Sequence, residues 1–191
     1  MTFSAIRHGR TEYNDLGLAQ GSKDIPLSEL GRAEVEAFRK ELQGKEFKTI
    51  LVSPLKRTIE TAQILFPGRD FQIVDFLTER SFGDMEGKPR DLLPEEMDSF
   101  YATQLPYRIE PLVSVFERTK KALDLMAGME EPIIWVTHGG VMNALYYLQY
   151  GIPKDGICTF QFRKNNELVE YHIGKEKSYE AIHCPSRSHR L

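Results

Sequence analysis

This chain of 191 residues has little cysteine and no long apolar run. Cys158 and Cys184 are its only cysteines, too few for a disulfide framework in a chain of this length. No apolar run approaches the ~20 residues that cross a bilayer, and the first residues lack the charged and apolar regions of a secretory signal. These absences argue against a disulfide-rich secreted domain and against a membrane protein. We therefore expect a cytoplasmic protein with no membrane partner.

An excess of charge of one sign is also absent. The chain carries 25 Lys and Arg against 28 Asp and Glu, a formal net charge of -3, and shows no basic stripe. Nucleic-acid binding depends on clustered Lys and Arg that neutralise phosphates, so we expect no nucleic-acid partner. The length fits one domain, residues 1–191, with a core that needs no disulfide or metal.

What the chain does have is an alternation of apolar strand-like and amphipathic helical segments. Strands are predicted at 3–6, 49–52, 71–76 and 132–137, and helices at 28–42, 53–66, 112–127 and 141–150, the second helix capped by Ser53 with Pro54 in its first turn. Segments 159–162 and 168–173 are typical of an antiparallel hairpin. The alternation predicts an α/β fold, a three-layer α/β/α sandwich around a mostly parallel sheet, ending in that hairpin.

Two further segments lie outside this alternation. Four prolines interrupt residues 83–111, and we expect a small cover segment at about 87–111. A polar tail follows at 184–191.

Polar residues directly follow three of the predicted strands. They are Arg7-His8-Gly9, the segment from Ser53 to Arg57, and Thr137-His138-Gly139. In parallel sheets the ligand lies beyond the carboxyl ends of the strands, so these segments are expected to converge on one pocket. A histidine beside arginines is a poor metal ligand, because the guanidinium charge repels a cation, but it is well placed to meet an anion.

Five ordered motifs resemble those of the histidine phosphatase superfamily, in the branch that contains phosphoglycerate mutases and related small phosphatases. They are Arg-His-Gly-x-Thr-x-x-Asn at 7–14, Gly-x-x-Asp-x-Pro-Leu-Ser-x-x-Gly at 21–31, Ser-Pro-x-x-Arg-x-x-x-Thr-Ala at 53–62, Leu-x-Glu-x-x-Phe-Gly-x-x-Glu-Gly at 77–87 and Thr-His-Gly-Gly at 137–140. One Arg-His-Gly tripeptide is weak support, whereas five motifs in order are specific.

The resemblance implies a metal-independent phosphatase that needs no cofactor and acts on a small phosphorylated metabolite. His8 would take the phosphoryl group on a ring nitrogen. Arg7 and Arg57 would hold the phosphoryl oxygens by fork-shaped hydrogen bonds, and His138 would donate to the same oxygens. Glu79 would protonate the leaving oxygen and then activate water. The substrate-binding residues implied in addition are Asn14, Thr11 and Gly139.

Several of these assignments have competitors. Asp84 and Glu86 lie close to Glu79 in the sequence, although Glu86 is interpreted as a structural loop residue. Thr137 is expected to orient the ring of His138, whereas Thr61 and Ala62 are interpreted as packing residues. The remaining histidines, His172, His183 and His189, are interpreted as ordinary surface or structural residues.

The cover segment should separate a phosphatase from a mutase. Its basic residues are fewer than its acidic ones: Lys88, Arg90 and Arg108 against Asp91, Glu95, Glu96, Asp98 and Glu110. This excess of negative charge disfavours a substrate with several phosphates. Its apolar residues Leu92, Leu93, Met97, Phe100, Tyr101 and Tyr107 either contact an apolar leaving group or merely pack the cover onto the domain. Arg80, directly after Glu79, resembles the mutases and favours that alternative. We favour a phosphomonoesterase, with a phosphoglycerate mutase-type transferase and a non-catalytic phosphate-binding module as alternatives; the oligomeric state stays open.

Overall fold

The computed structural model describes residues 1–161 and 164–174, and they form an α/β fold around one five-stranded sheet. The strands are β1 (Thr2–Arg7), β2 (Thr49–Val52), β3 (Gln72–Ile73), β4 (Ile133–Thr137) and β5 (Leu168–His172). The helices are α1 (Glu12–Asp15), α2 (Glu29–Arg39), α3 (Lys56–Leu65), α4 (Leu112–Leu125) and α5 (Gly139–Tyr150). Short 3-10 turns occur at Lys40–Leu42, Asp75–Leu77, Gly83–Met85, Arg90–Leu92, Glu95–Asp98 and Pro106–Arg108.

The sheet is mostly parallel, as predicted. Its strand order is β3-β2-β4-β1-β5, with β5 antiparallel to β1 and the other neighbouring pairs parallel. The predicted hairpin differs in its pairing, because β5 lies against β1. Residues 159–161 are not a strand and bond instead to α5, where Gln161 N donates to Asn143 Oδ1 at 3.0 Å and Tyr147 donates to the carbonyl of Thr159 at 3.0 Å. Residues 162 and 163 lie outside the described residues.

Helices cover both faces of the sheet, which confirms the three-layer prediction. All five residues of β4 are buried, and they alternate between two cores. Ile133 and Trp135 pack in the core formed with α4 and α5, whereas Ile134 and Val136 pack in the core formed with α2 and α3. A central strand buried on both faces is what a continuous apolar run in a parallel sheet produces.

Two predicted boundaries change. Ser28 does cap α2, accepting from Gly31 N at 3.1 Å, but α3 begins after Leu55 and not after Ser53. The first amide of that helix, Lys56 N, is satisfied by Asp24 Oδ1 at 2.7 Å. The predicted strand at 71–76 is confined to Gln72–Ile73, because the chain then turns at Asp75–Leu77.

The cover segment consists of 3-10 turns, and it is tied to the domain where Ser99 pairs with Ile157 in an antiparallel bridge. The tail at 184–191, which includes His189, lies outside the described residues, and so does His183. His172 is exposed and pairs with Glu170 at 3.2 Å, in agreement with its interpretation as a surface residue. Within the described ranges no helix is long and apolar enough to cross a membrane.

Candidate active site

The pairing of β1 with β4 brings the two histidine motifs together. Arg7 is in register with Thr137, and His8 N donates to the carbonyl of Thr137 at 2.9 Å. The ring centroids of His8 and His138, one residue beyond each strand, are 5.2 Å apart. Ser53 joins them from β2, since its amide donates to the carbonyl of Val136 at 3.0 Å. Three distant segments thus meet at the carboxyl edge of the sheet.

A cavity of about 490 Å³ opens at this edge. Four of the predicted catalytic residues line it: Arg7, His8, Arg57 and Glu79. The rest of the lining comes from residues around the mouth and the cover, namely Leu18, Gln20, Gly21, Arg80, Phe82, Arg90, Leu93, Pro94, Glu95, Met97, Asp98, Leu112, Gly140, Asn143 and Phe160.

The ring of His8 is buried in one defined tautomer. Its Nδ1 lies 2.7 Å from the carbonyl oxygen of Gly9, and because a carbonyl can only accept, Nδ1 carries the proton. Burial, followed by the charges of Arg57 and Arg7, holds the pKa of His8 well below its ordinary value of 6.5. The ring is therefore neutral at physiological pH, with a lone pair on Nε2.

Two buried guanidinium groups flank this ring. Arg57 donates from Nη1 to the carbonyl of Lys23 at 2.7 Å and from Nη2 to that of Gly21 at 2.8 Å, while its Nε has no hydrogen-bond partner among the described residues. Burial lowers the pKa of Arg57 to about 10, and burial likewise lowers the pKa of Arg7. Arg57 therefore stays cationic at neutral pH while bonded to uncharged carbonyls, and its charge is available to an anion.

His138 lies behind these residues and is oriented by Ser53. Its Nε2 is 2.7 Å from Ser53 Oγ, and its Nδ1 has no hydrogen-bond partner among the described residues. Burial and the charge of Arg57 hold the pKa of His138 well below its ordinary value. The expected capping role of Ser53 is wrong because its hydroxyl is engaged by His138. Thr137 does not orient the ring either, since it donates to the carbonyl of Leu77 at 3.0 Å.

Glu79 is held at the first turn of α5 by backbone amides. Its Oε1 accepts from Arg80 N at 2.8 Å and from Gly140 N at 3.1 Å. Its neighbour in the motif, Glu86, accepts from Ser22 N at 2.7 Å and Phe82 N at 3.1 Å. Glu86 thus ties two loops together, whereas Glu79 faces the cavity.

The other predicted binding residues lie near the cavity but not among its lining. Thr11 caps α1 and, through Oγ1, contacts Gln20 Oε1 at 2.9 Å. Asn14 accepts through Oδ1 from Thr11 N at 3.2 Å and from Asn165 Nδ2 at 3.3 Å, which leaves the amide nitrogen as the group it can offer. In the fifth motif it is Gly140, and not Gly139, that lines the cavity.

Thr61 links two motifs and is more than a packing residue. Its hydroxyl accepts from Gly9 N at 3.0 Å and donates to the carbonyl of Arg57 at 2.6 Å. The backbone beside His8 is thereby joined to the helix that carries Arg57. Helical periodicity places Thr61 on the buried face, but it gives no sign of this bond to a distant loop.

The cover contributes fewer apolar contacts than the sequence suggested. Leu93 and Met97 line the cavity, but Leu92, Tyr101 and Tyr107 are exposed and Phe100 packs in the core against Phe116 at 5.1 Å. The prediction that these four side chains contact the leaving group is therefore wrong. The apolar lining that the sequence did not identify is Leu18, Phe82, Leu112 and Phe160.

The charges at the mouth are mixed. Arg90 lies over the ring of Phe160, 5.1 Å from its centroid, and it shares the lining with Glu95 and Asp98. Arg108 is turned toward Asp84 instead. Among the described residues, no group of three or more His, Cys, Asp or Glu side chains could hold a metal ion.

Comparisons with known proteins place these motifs in a family. The family model for the histidine phosphatase superfamily (branch 1) matches residues 3–181. The chain is 28% identical to the putative phosphoserine phosphatase 2 of Hydrogenobacter thermophilus, over 91% of this chain and 90% of that protein. It is 32% identical to the adenosylcobalamin/alpha-ribazole phosphatase of Salmonella typhimurium, over 82% and 83%.

A solved structure agrees. Mycobacterial glucosyl-3-phosphoglycerate phosphatase in complex with VO3 superposes with a TM-score of 0.76 at 26% identity, covering 88% of this chain and 91% of that one. The resemblance inferred from the motifs is confirmed.

Burial of the two neutral histidines predicts a pH-dependent stability. Because the pKa values of His8 and His138 are lowered in the folded state, their contribution is fully present above the ordinary pKa of about 6.5 and is lost as the pH falls below it. We expect the free energy of unfolding in urea to fall by up to about 1.4 kcal/mol per pH unit and per histidine below that pH. The His8→Gln variant should show a smaller slope, and a slope equal to that of the wild type would contradict the buried neutral ring.

A substitution at Gly140 is expected to move the side chain of Glu79 without unfolding the protein. A Cβ at this position would overlap Glu79 Oε1, the end of a flexible side chain. In Gly140→Ala we expect Glu79 to rotate away while the Tm changes by less than about 4 °C. A crystal structure and thermal unfolding would test this. An unmoved Glu79 would refute the expected overlap.

Proposed function

The chain belongs to branch 1 of the histidine phosphatase superfamily, and on that basis we propose that it is a metal-independent phosphomonoesterase acting on a small phosphorylated metabolite through a phosphohistidine at His8. The observation that carries the proposal is the state of His8. Its Nδ1 is bonded to the carbonyl of Gly9, and its pKa is held down by burial and by two guanidinium groups. A neutral ring with a free Nε2 lone pair, beside cations that attract phosphate, is a nucleophile ready for phosphoryl transfer.

In the first proposed step the phosphoryl group is held by Arg7 and Arg57. Nε2 of His8 attacks phosphorus, the P–O ester bond breaks, and the proton of Glu79 goes to the leaving oxygen. The guanidinium groups stabilise charge on the equatorial oxygens as it redistributes. Burial strengthens these contacts because little water competes for them.

In the second step water replaces the alcohol. Glu79 takes a proton from water, the water oxygen attacks phosphorus, and the P–N bond to His8 breaks. Inorganic phosphate leaves and His8 returns to its neutral form with the proton still on Nδ1. The proton given up in the first step is thus recovered in the second.

His138 is proposed to act as a neutral donor to the same phosphoryl oxygens. Ser53 Oγ at 2.7 Å from Nε2 can donate its proton to that nitrogen, and the ring proton is then on Nδ1. This tautomer presents an N–H to the anion, whereas the other tautomer would present a lone pair. Asn14, through its amide nitrogen, is a further proposed donor, and Thr11 and Gly139 are proposed to shape the site around the bound group.

The charge balance of the cavity favours a monophosphate over a mutase substrate. With Arg7 and Arg57 assigned to the phosphoryl group, the lining leaves Arg80 and Arg90 against the carboxylates of Glu79, Glu95 and Asp98. Arg80, the mutase-like detail, already donates to the carbonyls of Glu110 and Met97, at 2.8 Å each. A second phosphate would therefore find little uncompensated charge.

Loss of the nucleophile tests the proposal most directly. We expect His8→Ala to lower phosphate release from p-nitrophenyl phosphate by about 10³-fold or more, with the wild type fully active in EDTA. The wild type should also trap label from a ³²P substrate in an acid-labile form. A His8→Ala enzyme with more than about a tenth of the wild-type rate, or a wild type that EDTA inactivates and a divalent ion restores, would overturn the proposal.

The second test of the proposal concerns the preference for apolar leaving groups. Contact with the apolar lining is worth on the order of 1–3 kcal/mol, so kcat/KM should be about ten- to hundredfold higher for aryl and other bulky monophosphates than for bisphosphates. Leu93→Ala should reduce this preference. Leu92→Ala is the matched control, because the adjacent side chain is 60% exposed and outside the cavity. Interconversion of phosphoglycerates, with catalytic bisphosphoglycerate, faster than any hydrolysis would favour the mutase instead.

A further inference from the structure

A half-buried ion pair outside the cavity holds the loop that carries Glu79. Arg118, on α4, donates from Nε to Glu110 Oε1 at 3.0 Å and from Nη2 to Glu110 Oε2 at 3.4 Å. The two side chains are only 16% and 21% exposed. Neither residue is among the cavity lining, and neither belongs to the five motifs.

The same pair fixes the backbone on both sides of Glu79. On the N-terminal side, Arg118 Nη1 donates to the carbonyl of Phe76 at 3.0 Å and also to that of Thr78. On the C-terminal side, Glu110 Oε2 accepts from Ser81 N at 3.0 Å, and Glu110 N donates to the carbonyl of Ser81 at 2.9 Å. The segment from 78 to 81 is irregular, so these bonds supply the support that a helix or strand would otherwise provide.

Arg80 extends this support to the cover. Its side chain donates from Nε to the carbonyl of Glu110 and from Nη2 to the carbonyl of Met97. Its own amide donates to Glu79 Oε1 at 2.8 Å, so one residue joins the carboxylate, the ion pair and the cover. A shift of the 78–81 backbone would therefore move the amide that orients Glu79.

We propose that Arg118 and Glu110 are positioning residues for Glu79, which set the angle at which its carboxyl group meets the leaving oxygen. The inference rests on the proposed function, in which Glu79 is the general acid. Proton transfer requires a hydrogen-bond geometry that misplacement by about 1 Å destroys. Because neither residue lines the cavity, we expect a substitution that keeps the charge to affect the chemistry through Glu79.

Arg118→Lys is the informative substitution. Lysine keeps the positive charge, which also lowers the pKa of the nearby His138, but it cannot make the forked bonds to the carboxylate and to two carbonyls at once. We expect kcat for an alkyl phosphate to fall by about tenfold or more and kcat for p-nitrophenyl phosphate to fall by less than about threefold, because phenolate needs little protonation. KM should change little for either substrate.

A double-mutant cycle with Glu79→Gln completes the test. In that background Arg118→Lys should cause no further difference between the two substrates, because the acid whose position it controls is gone. Arg32→Lys is the matched control. It alters an Arg–Glu pair of 2.7 Å between α2 and α3, on the other face of the sheet, and should leave the ratio of the two kcat values unchanged.

The outcomes separate the inference from the proposed function. If Glu79→Gln itself lowers the two kcat values equally, the acid role of Glu79 is wrong and the proposed function needs a different acid. If Glu79→Gln is selective but Arg118→Lys lowers both substrates equally, the pair is only structural and the inference is overturned. Should Arg118→Lys fail to fold by circular dichroism, Glu110→Gln gives the same decision, because the single accepting oxygen of glutamine cannot bond to Ser81 N and keep the forked bond to Arg118 at once.

Discussion

The site depends on two buried guanidinium groups, those of Arg7 and Arg57. Arg57 is fully buried and donates to the carbonyls of Gly21 and Lys23, which accept from two of its nitrogens but do not cancel its charge. Removing such a cation from water is costly, and its pKa is lowered to about 10 as a result. An anion bound at the cavity offsets that cost. Burial, together with the same charges, lowers the pKa of His8 and keeps its ring neutral, so the feature that would attract a phosphate also prepares the proposed nucleophile.

These buried charges are held by the sheet and not by loops alone. The register of β1 and β4 sets the position of His8 through a backbone bond to Thr137, and Thr61 joins Gly9 to the helix of Arg57. Backbone hydrogen bonds to neighbouring strands restrict the strand ends, as in those from His8 N to Thr137 and from Ser53 N to Val136. The strand-end segments can therefore keep charged groups close together without their drifting apart to be solvated.

Features that depend on the regular strands can be predicted from the sequence, whereas features that depend on single long-range contacts cannot. Buried strands leave continuous apolar runs in the sequence, and ligand-binding residues follow their carboxyl ends. The sheet and the convergence of Arg7, His8 and His138 can therefore be predicted from the sequence. Ser53 was misassigned because a serine before a proline has the same local pattern whether it caps a helix or bonds to a histidine 85 residues away. Leu92 is exposed, whereas the adjacent Leu93 lines the cavity. The short 3-10 turn that ends at Leu92 has no periodic sequence pattern from which the two could be distinguished.

The half of the site that holds Glu79, the proposed acid, is built on a different principle from the half around His8 and Arg57, which is proposed to hold the phosphoryl group. Glu79 lies in an irregular segment, and its orientation comes from amide donors at Arg80 and Gly140, with Arg118 and Glu110 fixing the backbone around it. A rigid half built on strand ends suits a phosphoryl group, which is the same in every monoester. A half that is joined through Arg80 to the cover suits the leaving group, which differs between substrates. Changes in the cover can therefore alter the fit to the leaving group while the geometry around His8 and Arg57 stays fixed by the sheet.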